Sequence, residues 1–278
     1  MLNRTAFTSA VILILAAFIC PAGLARDQVC SDDAGAKADE LYAQSGFVFT
    51  KDRTPQTMLE AIKLIEQAVQ ICPDHEKSWA LLCELYWQYG DALPKKTRDD
   101  KKVRIEWFTK GEAAGDKALA VNPDNVQALF FKTCNMGGGA DMKGWSSSLW
   151  MFSTLKENME IVDQKQPHYL YGGTARFWCE VLFRVPLFLA GQFGYTVEGR
   201  LQILEDEIKR EPRYFSNYNY IAPLYWKTDE HDKALRYLKK VIEGDPNAFP
   251  EQAGVNRMEQ RRARRYWKHF TGKDYPER

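Results

Sequence analysis

The sequence lacks an excess of charge. Its 278 residues carry 38 Lys and Arg against 37 Asp and Glu. No global field therefore draws it toward nucleic acid or an anionic membrane, and a partner must be recognised locally. Long apolar runs are missing too: beyond the N-terminal segment nothing approaches the roughly eighteen consecutive apolar residues of a membrane-spanning helix. Histidine is scarce, with His75, His168, His231 and His269 falling in joints or on polar faces. No G-x-S-x-G elbow, H-E-x-x-H helix or phosphate-binding glycine loop accompanies them, and Gly137-Gly138-Gly139 lacks the Lys-Ser/Thr of a P-loop. The sequence thus nominates no catalytic residue, cofactor or metal. An enzyme stays open only as one whose active site is dispersed along the chain.

What is present begins with "MLNRTAFTSAVILILAAFICPAGLARDQ". Arg4 followed by a short apolar run, then Pro21 and the small-residue site Gly23-Leu24-Ala25, reads as a secretory signal over residues 1–25, with a mature domain over 26–278. That implies export, to a periplasm. Lipidation at Cys20 would require a small preceding residue, and Ile19 is bulky. Five cysteines remain after the signal, Cys30, Cys72, Cys83, Cys134 and Cys179. An odd number at irregular spacing is no disulfide framework, and their pairing stays open.

From Asp33 onward, segments with helical periodicity are separated by the joints "CPDHEKSW", "NPDNVQAL", "QPHYLYGG", "EPRYFSNY" and "DPNAFPEQ". Proline cannot sit in a helix interior, so each marks a helix end. Pro73, Pro123, Pro167, Pro212 and Pro246 are spaced by 50, 44, 45 and 34 residues. The last interval is the tetratricopeptide (TPR) period, and its contents resemble that family. The aromatic, large, small and aromatic positions fall on Tyr218, Ile221, Ala222 and Tyr225, with Ala234 and Leu238 in the second helix. Counting forward from Pro73 gives Trp79, Leu82, Cys83 and Tyr86. The expected fold is all-α: a TPR-like α-solenoid of about four irregular antiparallel helix pairs with a C-terminal capping helix. The triple glycine is expected to break its helix into a loop.

Within this class, Tyr171, Gly172, Gly173, Arg176, Arg184, Pro186 and the block "EPRYFSNYNYIAPLYWKTDEHDKALRYLKKVIEGDP" resemble the T component of TRAP transporter systems, an exported helical family. The resemblance implies a non-enzymatic partner of a solute transport system. An alternative is a general protein-interaction adaptor in cell-envelope assembly.

The groove-facing positions of the repeat pattern fall on Lys77, Glu84, Trp87 and Gln88, and on Asn219, Trp226 and Lys227. Tyr171 and Arg176 complete the candidate groove. Amphipathic aromatics beside polar donors suit a protein or peptide partner or a small organic ligand, and homo-oligomerisation is a further option. Nucleic acid is not expected, since the basic run "RMEQRRARRYWKHF" reads as a cap that shows its arginines to water. Cys72, His75 and Cys83 lie close in sequence but lack the second ligand pair of a zinc site, and each has a packing role instead.

Overall fold

The structure, a computed structural model, describes residues 30–276 apart from positions 145, 147, 148, 189, 190, 192 and 193. The expected signal segment and Cys20 lie outside the described residues. Eleven α-helices are present among them: Asp32–Lys51 (α1), Pro55–Ile71 (α2), Glu76–Ala92 (α3), Arg98–Val121 (α4), Val126–Lys143 (α5), Phe152–Lys165 (α6), Gly173–Arg184 (α7), Val197–Arg210 (α8), Ser216–Lys227 (α9), His231–Glu243 (α10) and Ala253–Thr271 (α11). No described residue is in a strand, so the all-α class holds. None of these helices is long and apolar enough to cross a membrane.

The joint prolines do what their chemistry dictates. α2, α4, α6, α8 and α10 stop at Ile71, Val121, Lys165, Arg210 and Glu243, two or three residues before Pro73, Pro123, Pro167, Pro212 and Pro246. Starts are equally legible: Thr54 and Thr97 each form a reciprocal capping box, and Pro55 occupies the first turn where no donor is lost.

The triple glycine does not break a helix. α5 runs through Gly137, Gly138 and Gly139 without interruption. A Cβ on Gly138 would lie 2.8 Å from the Phe108 ring of α4, and one on Gly137 would lie 3.2 Å from Phe177 of α7. Glycine costs roughly 1 kcal/mol per site against alanine in a helix interior. Here that cost accompanies close seating of two aromatic rings against the α5 backbone, and packing wins over propensity.

Two segments repeat the same local contacts. Trp79 Nε1 donates to the Pro73 carbonyl at 2.7 Å, and Tyr218 Oη donates to the Pro212 carbonyl at 3.0 Å. Tyr86 Oη donates to Glu66 Oε1 and Tyr225 Oη to Glu205 Oε1, each across 20 residues of sequence. Cys83 and Ala222 fill the small positions beneath them and are fully buried.

Each even-numbered helix packs on the odd-numbered helices before and after it. The odd-numbered helices also touch one another in succession, from α1 to α3 and onward to α11, and α11 returns to α1. Six helices therefore form a closed circuit of contacts. Five helix pairs precede α11 among the described residues, one more than the sequence suggested, and α11 itself returns to α1. Gly254 permits this closure, because a Cβ there would meet the Thr50 carbonyl oxygen at 2.1 Å. Arg257 donates to the Lys51 carbonyl, and Arg261 Nη2 to Asp52 Oδ1 at 3.1 Å.

A disulfide joins Cys30 to Cys72, tying the segment before α1 to the end of α2. Cys83, Cys134 and Cys179 are free and buried.

Candidate functional site

A closed circuit has an inside, and pairs of residues that interact across it must face inward. The neighbours of α3 in the circuit are α1 and α5. Yet Asp91 of α3 interacts with Arg184 of α7 and Arg262 of α11, besides Lys95 and Arg104. Arg262 Nη2 in turn lies 3.9 Å from Glu180 Oε2 of α7, with α9 between those two helices in the circuit. Tyr220 of α9 senses Asp91 and Glu180, and Tyr266 of α11 senses Glu180 and Arg184. These groups converge from α3, α7, α9 and α11 on one interior region.

The electrostatics fit that placement. Burial opposes ionisation of Asp91, but Arg262, Arg104, Lys95 and Arg184 outweigh it and hold the carboxyl below its usual value. The Asp91 side chain nevertheless keeps 44 % of its surface. Asp91 therefore borders space open to solvent. Burial, and then repulsion from Arg184, depress the ammonium of Lys95. Burial also raises the Tyr220 and Tyr266 phenols, so both keep their protons near neutrality. The Arg262 guanidinium lies over the Tyr220 ring at 4.4 Å and the Tyr266 ring at 5.5 Å.

The groove residues expected from the repeat pattern are mostly engaged in packing and structural bonds. Lys77 is exposed near the start of α3. Glu84 pairs with Arg53 at 3.6 Å and accepts from Gln127 at 2.9 Å; burial raises its carboxyl pKa, and Arg53 and Gln127 work against that rise. Trp87 is half-buried against Phe131, with ring centroids 5.6 Å apart, and Gln88 is half-buried beside it.

The rest of that set is occupied by structural bonds. Asn219 has 0 % exposure and donates to Glu259, which also accepts from Ser216. Trp226 is stacked between His231 and Phe270. Lys227 Nζ, depressed by burial, caps the end of α7 by donating to the carbonyls of Leu182, Phe183 and Val185. Arg176 is buried and holds a tight turn: its guanidinium donates to the Leu170 and Tyr171 carbonyls and to Asn217 Oδ1. Leu170 and Tyr171 have φ of 49° and 56°, a left-handed backbone that non-glycine residues adopt at a cost of about 1–3 kcal/mol, and the Arg176 bonds hold it in place. The Tyr171 ring itself packs on Tyr214 and Phe249.

Two other constellations are set aside on geometry. His75 Nδ1 lies 2.7 Å from Ser78 Oγ, and His75 Nε2 lies 3.1 Å from Asp39. This has the members of a nucleophilic triad, but Ser78 has 0 % exposure and cannot meet a substrate. Its hydrogen bond instead organises the start of α3. Cys30, Cys72 and Asp74 bring possible metal ligand atoms within 4.8 Å of one another, but the two sulfurs are bonded together. The thiols of Cys83, Cys134 and Cys179 are all raised by burial, that of Cys179 to about 12, which makes them poor nucleophiles.

The sequence reading missed Arg262, Tyr220 and Tyr266. The i, i+4 pair Arg262 and Tyr266 was visible, but a polar stripe on a helix looks the same whether it meets bulk water or an enclosed interior. No protein-family model matches the chain, and no curated protein matches it in sequence.

Proposed function

We propose that the chain is a non-enzymatic binding protein of the cell envelope, a TPR-like α-solenoid closed on itself, which holds a small organic ligand on the inward side of its odd-numbered helices. The observation that carries this reading is the convergence of Asp91, Glu180, Arg184, Tyr220, Arg262 and Tyr266 across the circuit. Stability alone does not call for this arrangement, because buried ion pairs are often replaceable by apolar packing without loss. Aromatic faces beside convergent polar groups are the usual lining of a ligand site.

The matching contacts at Trp79 and Tyr218, and at Tyr86 and Tyr225, support the repeat reading. The Cys30–Cys72 disulfide supports export, since such bonds persist in oxidising compartments. The resemblance of the Tyr171 to Arg176 segment favours a periplasmic partner of a TRAP-type solute transport system over a general adaptor.

Binding is tested by titrating the folded chain with the neutral fluorophore N-phenyl-1-naphthylamine, with native mass spectrometry of chain recovered from the envelope. Saturable uptake of one probe per chain, or one co-purifying small molecule, is the expected result. Failure of both removes the ligand reading. For the transport link, a consistent absence of neighbouring genes for TRAP membrane and solute-binding subunits sinks it.

A further inference from the structure

We propose that the exposed face of α11 docks on an anionic lipid surface, with its arginines and Lys268 set against phosphate headgroups. Docking of this kind is independent of any ligand held inside the circuit, because it uses only the solvent side of the helix. The chain as a whole carries a net charge of +1, but that charge is unevenly placed. α11 holds six Arg and Lys, namely Arg257, Arg261, Arg262, Arg264, Arg265 and Lys268, against the single acid Glu259. Glu259 is only 2 % exposed.

The cations share one side. At about 100° per residue, Arg257, Arg261, Arg264, Arg265 and Lys268 fall within an arc of about 100° and along about 17 Å of helix, and Arg262 lies outside that arc. All but Arg257 are exposed. Two acids reach this face from elsewhere: Asp52 accepts from Arg261, and Asp274 lies 3.0 Å from Lys268. Arg257 directs its donors to neutral oxygens, the Lys51 carbonyl and Asn247 Oδ1. Arg264 and Arg265 have no acidic partner among the described residues. Five cations less two acids leave a local excess of three positive charges. The basic residues at the start of α4 are different, since Asp99 and Asp100 are interleaved with them.

Charge complementarity requires an anionic partner, and the character of the face selects a lipid surface. The exposed positions of α11 are Arg261, Arg264, Arg265, Lys268 and His269, with no apolar side chain among them. A protein interface centres on a charge-depleted core whose anchors fill pockets. A convex helix ridge made only of charges offers neither. Headgroup phosphates need no such fit, because they move laterally and adapt to the spacing the arginines present. Clusters of about four to eight cations on one helix are the usual signature of attraction to acidic lipid. Trp267 and Tyr275, with ring centroids 4.8 Å apart, border the cations, since the Arg264 guanidinium lies 6.0 Å over the Tyr275 ring. Such rings are at home at headgroup depth.

The test is cosedimentation of the full folded chain with vesicles of phosphatidylcholine alone or of phosphatidylcholine mixed equally with phosphatidylglycerol. At about 0.1 M salt the anionic vesicles are expected to bind the wild type about a hundredfold more strongly, at about fivefold for each uncompensated charge. At about 1 M salt, where screening acts within about 3 Å, the preference is expected to vanish. Joint replacement Arg264→Gln, Arg265→Gln and Lys268→Gln is expected to abolish it at either salt. Arg265→Gln alone is expected to lower it about fivefold and carries the test if the triple variant does not fold. Lys63→Gln, Lys101→Gln and Lys117→Gln together remove three exposed charges from α2 and α4, and are expected to leave the preference within about twofold. Equal binding to the two vesicles overturns the proposal, as does a preference that survives the α11 substitutions or falls equally in the α2 and α4 variant. Failure to bind the anionic vesicles also overturns it, and retention on polyglutamate or duplex DNA would then assign the face to an acidic protein or a nucleic acid.

Discussion

Arg261 in α11 donates to Asp52 after α1 at 3.1 Å, across 209 residues of sequence. Together with Gly254 seated against the Thr50 carbonyl oxygen, this contact joins the first described helix to the last. Gly254→Val is therefore expected to push α11 away from α1 and cost about 2–3 kcal/mol, the usual range for overpacking a tight contact. Urea unfolding measures it; a change below about 0.5 kcal/mol, the range of ordinary surface substitutions, would mean that the closure does not bear on stability.

The buried pair of Asn219 and Glu259 yields a second expectation. Asn219→Ala removes one donor from a Glu259 carboxylate that is 2 % exposed and another from the Glu259 main-chain carbonyl, leaving both under-satisfied. The loss should be about 2–3 kcal/mol. Neutral-probe affinity should stay unchanged, because Asn219 has no surface to offer a ligand; a selective loss of binding at unchanged stability would restore it to the groove.

Trp87 and Trp178 separate half-buried from fully buried aromatics. Trp178 is 1 % exposed and packs against Phe152, Phe177 and Tyr195, so Trp178→Ala should cost about 3–5 kcal/mol. Trp87 touches Phe131 but keeps open surface, and Trp87→Ala should cost about half as much. Equal losses in thermal melts would show that Trp87 is core.

The Cys30–Cys72 bridge spans 42 residues, for which chain-entropy arguments give about 4 kcal/mol of stabilisation by constraint of the unfolded chain. Cys30→Ser should lower the melting temperature under non-reducing conditions and make the protein indifferent to added thiol. Persistent sensitivity of that variant to thiol would contradict the free state of the other cysteines.

The acid side of the stability curve reports on Asp91. Its carboxyl is held below the ordinary value of 3.8 in the folded chain. The unfolded state therefore binds more protons in that window, and the stabilisation is fully present above pH 3.8 and lost as pH falls through the folded value. Because the side chain is partly solvated, the contribution is about 1 kcal/mol. Asp91→Asn should remove it near neutrality and converge with the wild type at lower pH; parallel curves throughout would show that Asp91 titrates normally.

Much of this architecture was legible where local chemistry acts alone. The joint prolines follow the ends of α2, α4, α6, α8 and α10 because proline removes a helix donor and crowds the preceding turn, although α9 accommodates Pro223. Cys83 and Ala222 are small because they lie under large neighbours at matching positions. Gly137 and Gly138 misled because their role depends on Phe177 and Phe108, which approach from other helices. Closure through Arg257, Gly254 and Arg261 has no local signature at all, since its partners lie about as far apart as the chain permits. Without closure there is no interior, so Arg262 read as a surface residue and the convergence around it stayed hidden.

The return of α11 to α1 also changes how the molecule comes apart. An open row of helix pairs has two free ends, and its terminal units fray first. Here the terminal helices brace each other, so backbone amides in α1 and α11 should exchange with solvent about as slowly as those in α5. Opening at either end would breach the interior at once. Under the ligand-binding proposal, retention of a ligand is thereby coupled to the integrity of the seam between α1 and α11.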